Sequence, residues 1–151
     1  MHTSMSIAQT HSIAKEILTN LGRNRSGTRA TVVACSGNLG SGKTSFVKGI
    51  AKALGIKERV TSPTFVIERI YKIGGVAKKR FGFSHLVHID AYRLDDWREL
   101  AAIGFDKLIR DKGNLIIIEW GEKMKRILPK HCRHLHFKFI DEKIRSIKLK
   151  K

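Results

Sequence analysis

The sequence predicts an α/β fold in which a central, mostly parallel sheet is flanked by helices and carries antiparallel hairpin segments. Three consecutive stretches lead there. Residues 30–35 are apolar and rich in β-branched side chains, the pattern of a strand buried on both faces. Residues 37–44 read Gly37-Asn38-Leu39-Gly40-Ser41-Gly42-Lys43-Thr44, a complete G-x-x-x-x-G-K-[ST] run. Residues 44–54 then set Phe46, Val47, Ile50, Ala51, Ala53 and Leu54 at helical spacing, and Gly55 is placed to stop the helix. Strand, glycine loop and helix in this order make a P-loop nucleotide-binding unit, whose helix N-terminus adds partial positive charge to a phosphate site.

The remaining elements follow in order. Ser6 and Gln9 have capping-box spacing ahead of an apolar stripe of Ile13, Ala14, Ile17, Leu18 and Leu21, and Gly22 reads as the helix end. Residues 23–28 form a polar loop. Pro63 blocks a helix and lacks the N–H of a central strand, so residues 60–64 are a loop. Residues 65–73 read as extended, Gly74-Gly75 as a hairpin turn, and residues 80–90 as the returning strand. Asp96 can cap a short helix through Trp97, Leu100 and Ala101, and residues 105–110 add another helical turn. Residues 115–118 are continuously aliphatic, a buried strand that ends at Glu119. Residues 134–140 and 144–149 flank a turn at 141–143 as a terminal hairpin. The whole chain, 1–151, reads as one domain.

With 30 Lys and Arg against 13 Asp and Glu, the chain carries a formal charge of +17, a field that attracts polyanions. The longest aliphatic run, residues 115–118, is too short to span a bilayer, and the first five residues lack the charged and apolar regions of a secretory leader. Two cysteines, Cys35 and Cys132, fit reduced thiols, so a cytoplasmic protein is expected.

The chemistry of the glycine run is specific. Residues without a Cβ let backbone N–H groups curl around a phosphate, Lys43 can reach the β- and γ-phosphates, and the Thr44 hydroxyl can coordinate Mg²⁺. Such a loop needs acids at neighbouring strand ends. Glu119 meets that requirement, and Asp90, within His88-Ile89-Asp90-Ala91-Tyr92-Arg93, is a second candidate. Either acid could hold the metal or orient the attacking water. His88 reads equally as a core hydrogen bonder or a nucleotide-side residue. Glu122 reads as a surface acid.

In order along the chain stand residues 37–44, Ser62-Pro63-Thr64-Phe65, His88-x-Asp90-x-Tyr92-Arg93 and Ile118-Glu119-Trp120-x-Glu122. This combination resembles the TsaE family, bacterial ATPases of threonylcarbamoyladenosine formation at position 37 of tRNA, from the first helix to about residue 129. The resemblance implies ATP and Mg²⁺ as cofactors. Leu39, Gly40, Ser41, Gly42, Lys43, Thr44 and Ser45 would wrap the phosphates, and Thr10 would contact the nucleotide. Thr44, Glu119 and Asp90 would hold the metal. Catalysis would rest on Lys43, Asp90, Glu119 and the Trp120 ring, with residues 62–64 as a switch-like loop. It also implies a TsaB–TsaD complex as partner, tRNA reached through that complex, no membrane, and threonylcarbamoyl transfer done by TsaD.

Asn38 stands where the family usually has Asp, and Arg145, beyond the matched region, is a loose nucleotide-side candidate. His131, Cys132, His134 and His136 alternate with Leu135 and Phe137 as a half-buried strand rather than at zinc-site spacing. Cys35 reads as a small core residue and Trp97 as helix packing. The rivals are a small P-loop kinase acting on a nucleotide or metabolite, which needs an acceptor pocket and an Arg-bearing lid, and a basic RNA-binding module with a vestigial nucleotide site.

Overall fold

The computed structural model describes residues 1–25 and 27–150, with Lys150 described for its backbone alone. The elements run β1 (His2–Ser4), α1 (Ile7–Arg23), β2 (Thr31–Ser36), α2 (Lys43–Ala53), β3 (Glu68–Lys72), α3 (Gly75–Phe81), β4 (His85–Asp90), α4 (Trp97–Ala102), α5 (Phe105–Arg110), β5 (Asn114–Glu119), a 3₁₀ turn (Gly121–Met124), β6 (Arg133–Phe139) and β7 (Arg145–Lys150). One seven-stranded sheet has the order β1-β7-β6-β2-β5-β4-β3. Its centre, β6, β2, β5 and β4, is parallel, and β3, β7 and β1 add antiparallel edges.

The central strands read as unbroken apolar runs because both faces are covered. Val33, Cys35, Leu86, Leu115, Ile117, Leu135 and Phe137 pack beneath α1, α2 and α3. The alternate residues Val32, Ala34, Val87, Ile89, Ile116 and Ile118 meet α4, α5 and the 3₁₀ turn. The capping signals act as the sequence predicts. Ser6 Oγ accepts from Gln9 N at 3.1 Å, and Asp96 and Glu99 close a full capping box.

Several expectations need correction. The Gly74-Gly75 pair is not a hairpin turn: Gly74 caps α3, a two-turn helix inserted between the antiparallel strands β3 and β4, and the returning strand begins at His85. Residues 65–67 are not extended, because Val66 N and Ile67 N both donate to Pro63 O, at 3.0 and 2.7 Å, and fold the segment into a tight turn. Gly22 does not end α1, which continues to Arg23. A Cβ at Gly22 would lie 3.1 Å from Phe81 O, so the glycine instead lets α3 approach closely. Strand β1, pairing with β7, had no counterpart in the sequence reading. Ser26 of the expected 23–28 loop and Lys151 lie outside the described residues.

The glycine loop leaves the carboxyl end of β2 under tight constraint. Gly37 has φ +137°, and a Cβ there would sit 2.1 Å from the backbone oxygen of Phe137 on β6. Gly37→Ala is therefore expected to cost about 3 kcal/mol or more, measured by denaturant unfolding. A change below ~1 kcal/mol would mean that the loop and β6 separate easily.

Candidate functional site

Open parallel sheets place ligands beyond the carboxyl ends of their strands, and here three such ends converge. The register sets Cys35 of β2 against Glu119 of β5, and Glu119 against Asp90 of β4, so the two acids are neighbours on one rung beside the glycine loop. A cleft of 420 Å³ opens there, lined by residues 39–45 together with Ser62, Thr64, Asp90, Tyr92, Glu119 and Trp120. All the catalytic, metal and loop residues expected from the sequence meet in this cleft. Thr10 does not. It lines an adjoining 340 Å³ recess with Gly40, Gly42, Ser45 and Arg145, where its hydroxyl pairs with Ser4 Oγ at 2.7 Å.

Lys43 opens α2 and turns back across the loop. Its Nζ donates to Gly37 O at 2.6 Å and Asn38 O at 3.0 Å, and lies 3.9 Å from the centre of the Trp120 ring. Burial pulls its pKa below the usual lysine value, while Glu119, Glu122 and Asp90 pull the other way. Trp120 reaches Lys43 because its backbone is left-handed, φ +60°, directly after the strand end, and Tyr92 supports its ring at 5.1 Å. Strained conformations of this kind cost about 1–3 kcal/mol and gather at functional sites. Ser41 Oγ is buried in the loop without a hydrogen-bond partner among the described residues.

Glu119 is almost fully buried and accepts twice. Thr44 Oγ1 donates to Oε2 at 2.8 Å, and His88 Nε2 stands 2.8 Å from Oε1. Since a carboxylate only accepts, the proton belongs on Nε2 of His88. Asp90 accepts at Oδ2 from Ser62 Oγ and from Thr64 Oγ1 (2.7 Å), and at Oδ1 from Tyr92 N (2.9 Å). The expected switch-like loop is thus tied to one acid. Three residues beyond it, Ile67 is held at φ +68°, a rare state for a β-branched residue.

Two members of the site were not assigned to it by the sequence reading. His88, left there between two roles, is fully buried and orients Glu119. The signal lay in alternation, since His88 and Asp90 share a strand face and Glu119 is diagonal to His88 across the ladder. Glu122, read as a surface acid, is half-buried and accepts from Gly37 N at 3.3 Å. The cysteines are core residues, Cys35 raised well above the usual thiol value by burial and Cys132 pushed up to about 12 by the same cause.

The donors suit a hard cation. Among the described residues no three or more His, Cys, Asp and Glu side chains form a metal cage. The Thr44 hydroxyl and the carboxylates of Glu119 and Asp90 make an oxygen set that fits Mg²⁺, an ion usually held by few protein ligands plus water and phosphate. The unpartnered Ser41 hydroxyl and the Lys43 ammonium face the same loop.

A mostly parallel α/β sheet with a strand–glycine loop–helix unit and acids on two adjacent strand ends defines the phosphate-loop class of proteins. The chain belongs to the TsaE family: the family model described as threonylcarbamoyl adenosine biosynthesis protein TsaE matches residues 4–147. It is similar to the tRNA threonylcarbamoyladenosine biosynthesis protein TsaE of Rickettsia typhi, with 33% identity over 100% of this chain and 94% of the relative. The protein of that name from Treponema pallidum is 35% identical over 78% of this chain and 79% of its own length. The crystal structure of Bacillus subtilis YdiB superposes with a TM-score of 0.72 at 27% identity, covering 98% of this chain and 82% of YdiB. No helix among the described residues is long and apolar enough to cross a membrane.

Proposed function

We propose that the chain binds and hydrolyses ATP with Mg²⁺, and that this supports a TsaB–TsaD complex in forming threonylcarbamoyladenosine at position 37 of tRNA. One observation carries the reading: Lys43 and Thr44 of the loop and the distant Asp90 and Glu119 line one cleft at adjacent strand ends. Family membership supports the pathway.

The roles follow from position. The backbone N–H groups of residues 39–44 and the N-terminus of α2 bind phosphate oxygens. Lys43, already aimed over the loop, exchanges its carbonyl partners for phosphate. Thr44 and Glu119 would hold Mg²⁺, which would supply neutralisation of phosphate charge. His88 fixes Glu119, so the carboxylate needs no reorganisation when the site loads. Asp90 accepts hydrogen bonds from the Ser62 and Thr64 hydroxyls and is placed to orient a water through its carboxylate. Trp120 and Tyr92 wall the cleft and limit water around Lys43.

The test is Mg²⁺-dependent ATP hydrolysis by the chain alone and with purified TsaB–TsaD. Slow hydrolysis that rises when the pair is added is the expected outcome. No nucleotide binding and no stimulation would remove the proposal.

A further inference from the structure

The helical layers cover the sheet unequally. On one face, Leu135 and Phe137 of β6 and Ile147 of β7 pack beneath α1 and α2. The core on the other face contains residues of β2, β4 and β5 and none of β6 or β7. The sheet beyond β2 is therefore open on that side, and alternation turns His134, His136 and Lys138 of β6 and Lys148 of β7 onto it. His134, Lys138 and Lys148 are exposed, and His136 is half-buried with Nδ1 3.0 Å from Ser36 Oγ.

This open face is cationic without compensation. Neither β6 nor β7 contains an Asp or Glu. Among the described residues neither Lys138 nor Lys148 enters an ion pair. Lys148 sits opposite His136 and diagonal to Lys138 on the same face, within reach of long side chains. The connection leading into β6 adds exposed Lys125, Arg126 and Lys130. At the far end of β6, a 390 Å³ cleft lined by Gly37, Asn38, Leu39, His136 and Lys138 joins the face to the glycine loop.

We propose that the open face of β6 and β7 is a direct docking surface for the sugar–phosphate backbone of RNA. A flat strand surface offers cations at the roughly 7 Å repeat of same-face residues, suited to a run of phosphates. Imidazoles add hydrogen bonds to phosphate and sugar. An anionic membrane is the poorer fit, because the exposed apolar side chains of these strands, Phe139 and Leu149, alternate onto the opposite side. Membership of a tRNA-modification family supplies an RNA for the face to meet.

The experiment measures binding of a fluorescein-labelled, unmodified tRNA transcript to the full chain by anisotropy, without nucleotide, across a salt series. The comparison sets Lys138→Gln/Lys148→Gln against a charge-matched pair on α3, Lys78→Gln/Lys79→Gln. The sheet-face variant is expected to bind about tenfold more weakly at low salt and to lower the slope of log K against log salt by about 1.4–1.8, as for two lost phosphate contacts. The α3 pair should stay close to the unsubstituted chain. Equal weakening by both pairs would assign binding to net charge and overturn the proposal. So would no tRNA binding at all, or co-sedimentation with phosphatidylserine vesicles that depends on Lys138 and Lys148 while tRNA binding does not. No nucleotide is present, so loss of the ATPase reading would leave this result standing.

Discussion

Replacing Lys43 with alanine is expected to lower ATP hydrolysis at least ~100-fold, the effect of deleting one preorganised donor to developing phosphate charge. The ammonium is held over the loop by Gly37 O, Asn38 O and the Trp120 ring, so it needs little rearrangement to meet a phosphate. Stability should change little. Gly37 and Asn38 line the 390 Å³ cleft beside the loop; the exposed Asn38 carbonyl can take water while the buried Gly37 carbonyl loses its lysine, so unfolding should shift by about 1 kcal/mol. Full turnover by a folded Lys43→Ala chain would dismiss the phosphate role.

Glu119→Ala should have an effect of similar size on Mg²⁺-dependent hydrolysis, with a cost in stability as well. The substitution removes the proposed metal ligand and strands two donors, the Thr44 hydroxyl and His88 Nε2. The buried imidazole is the more serious loss, and about 2 kcal/mol of unfolding free energy should go with it. Glu119→Gln keeps the volume and part of the hydrogen bonding, so it should recover stability while remaining inactive. Glu122 is a poor comparison, since it holds Gly37 N. Glu58, exposed on the loop after α2, is the fair surface acid. If Glu58→Ala and Glu119→Ala reduced activity alike across a Mg²⁺ titration, the metal assignment would fall.

Most of this site was legible because its residues sit where local rules are strong. The glycine run has a fixed spacing, and the acids end aliphatic strands whose burial dictates their direction. What escaped the sequence depends on contacts between distant segments. Helix α3 spans seven residues, and its anchors, Ala77 and Phe81, supply one helical repeat, too few to outweigh a Gly-Gly pair. Gly22 carries a stop signal, but the groove it opens for Phe81 exists only once α1 and α3 meet. The roles of His88 and Glu122 depend on cross-strand register and on the 3₁₀ turn lying against β2. Strand β1 is three residues long and owes its existence to the free edge of β7.

Both thiols of this chain are sealed in its two cores, and that gives the folded state a chemical signature. With Cys132 pushed up to about 12, its thiolate fraction at neutral pH is on the order of one in 10⁵, and Cys35 is suppressed too. Alkylating reagents should pass over the native chain and modify both sulfurs only after the sheet opens. Labelling rate thus becomes a clock for opening: Cys35 times the separation of β2 from the α1 and α2 layer, and Cys132 times the other side. A cysteine introduced at a solvent-facing position could carry a probe without removal of the natural pair.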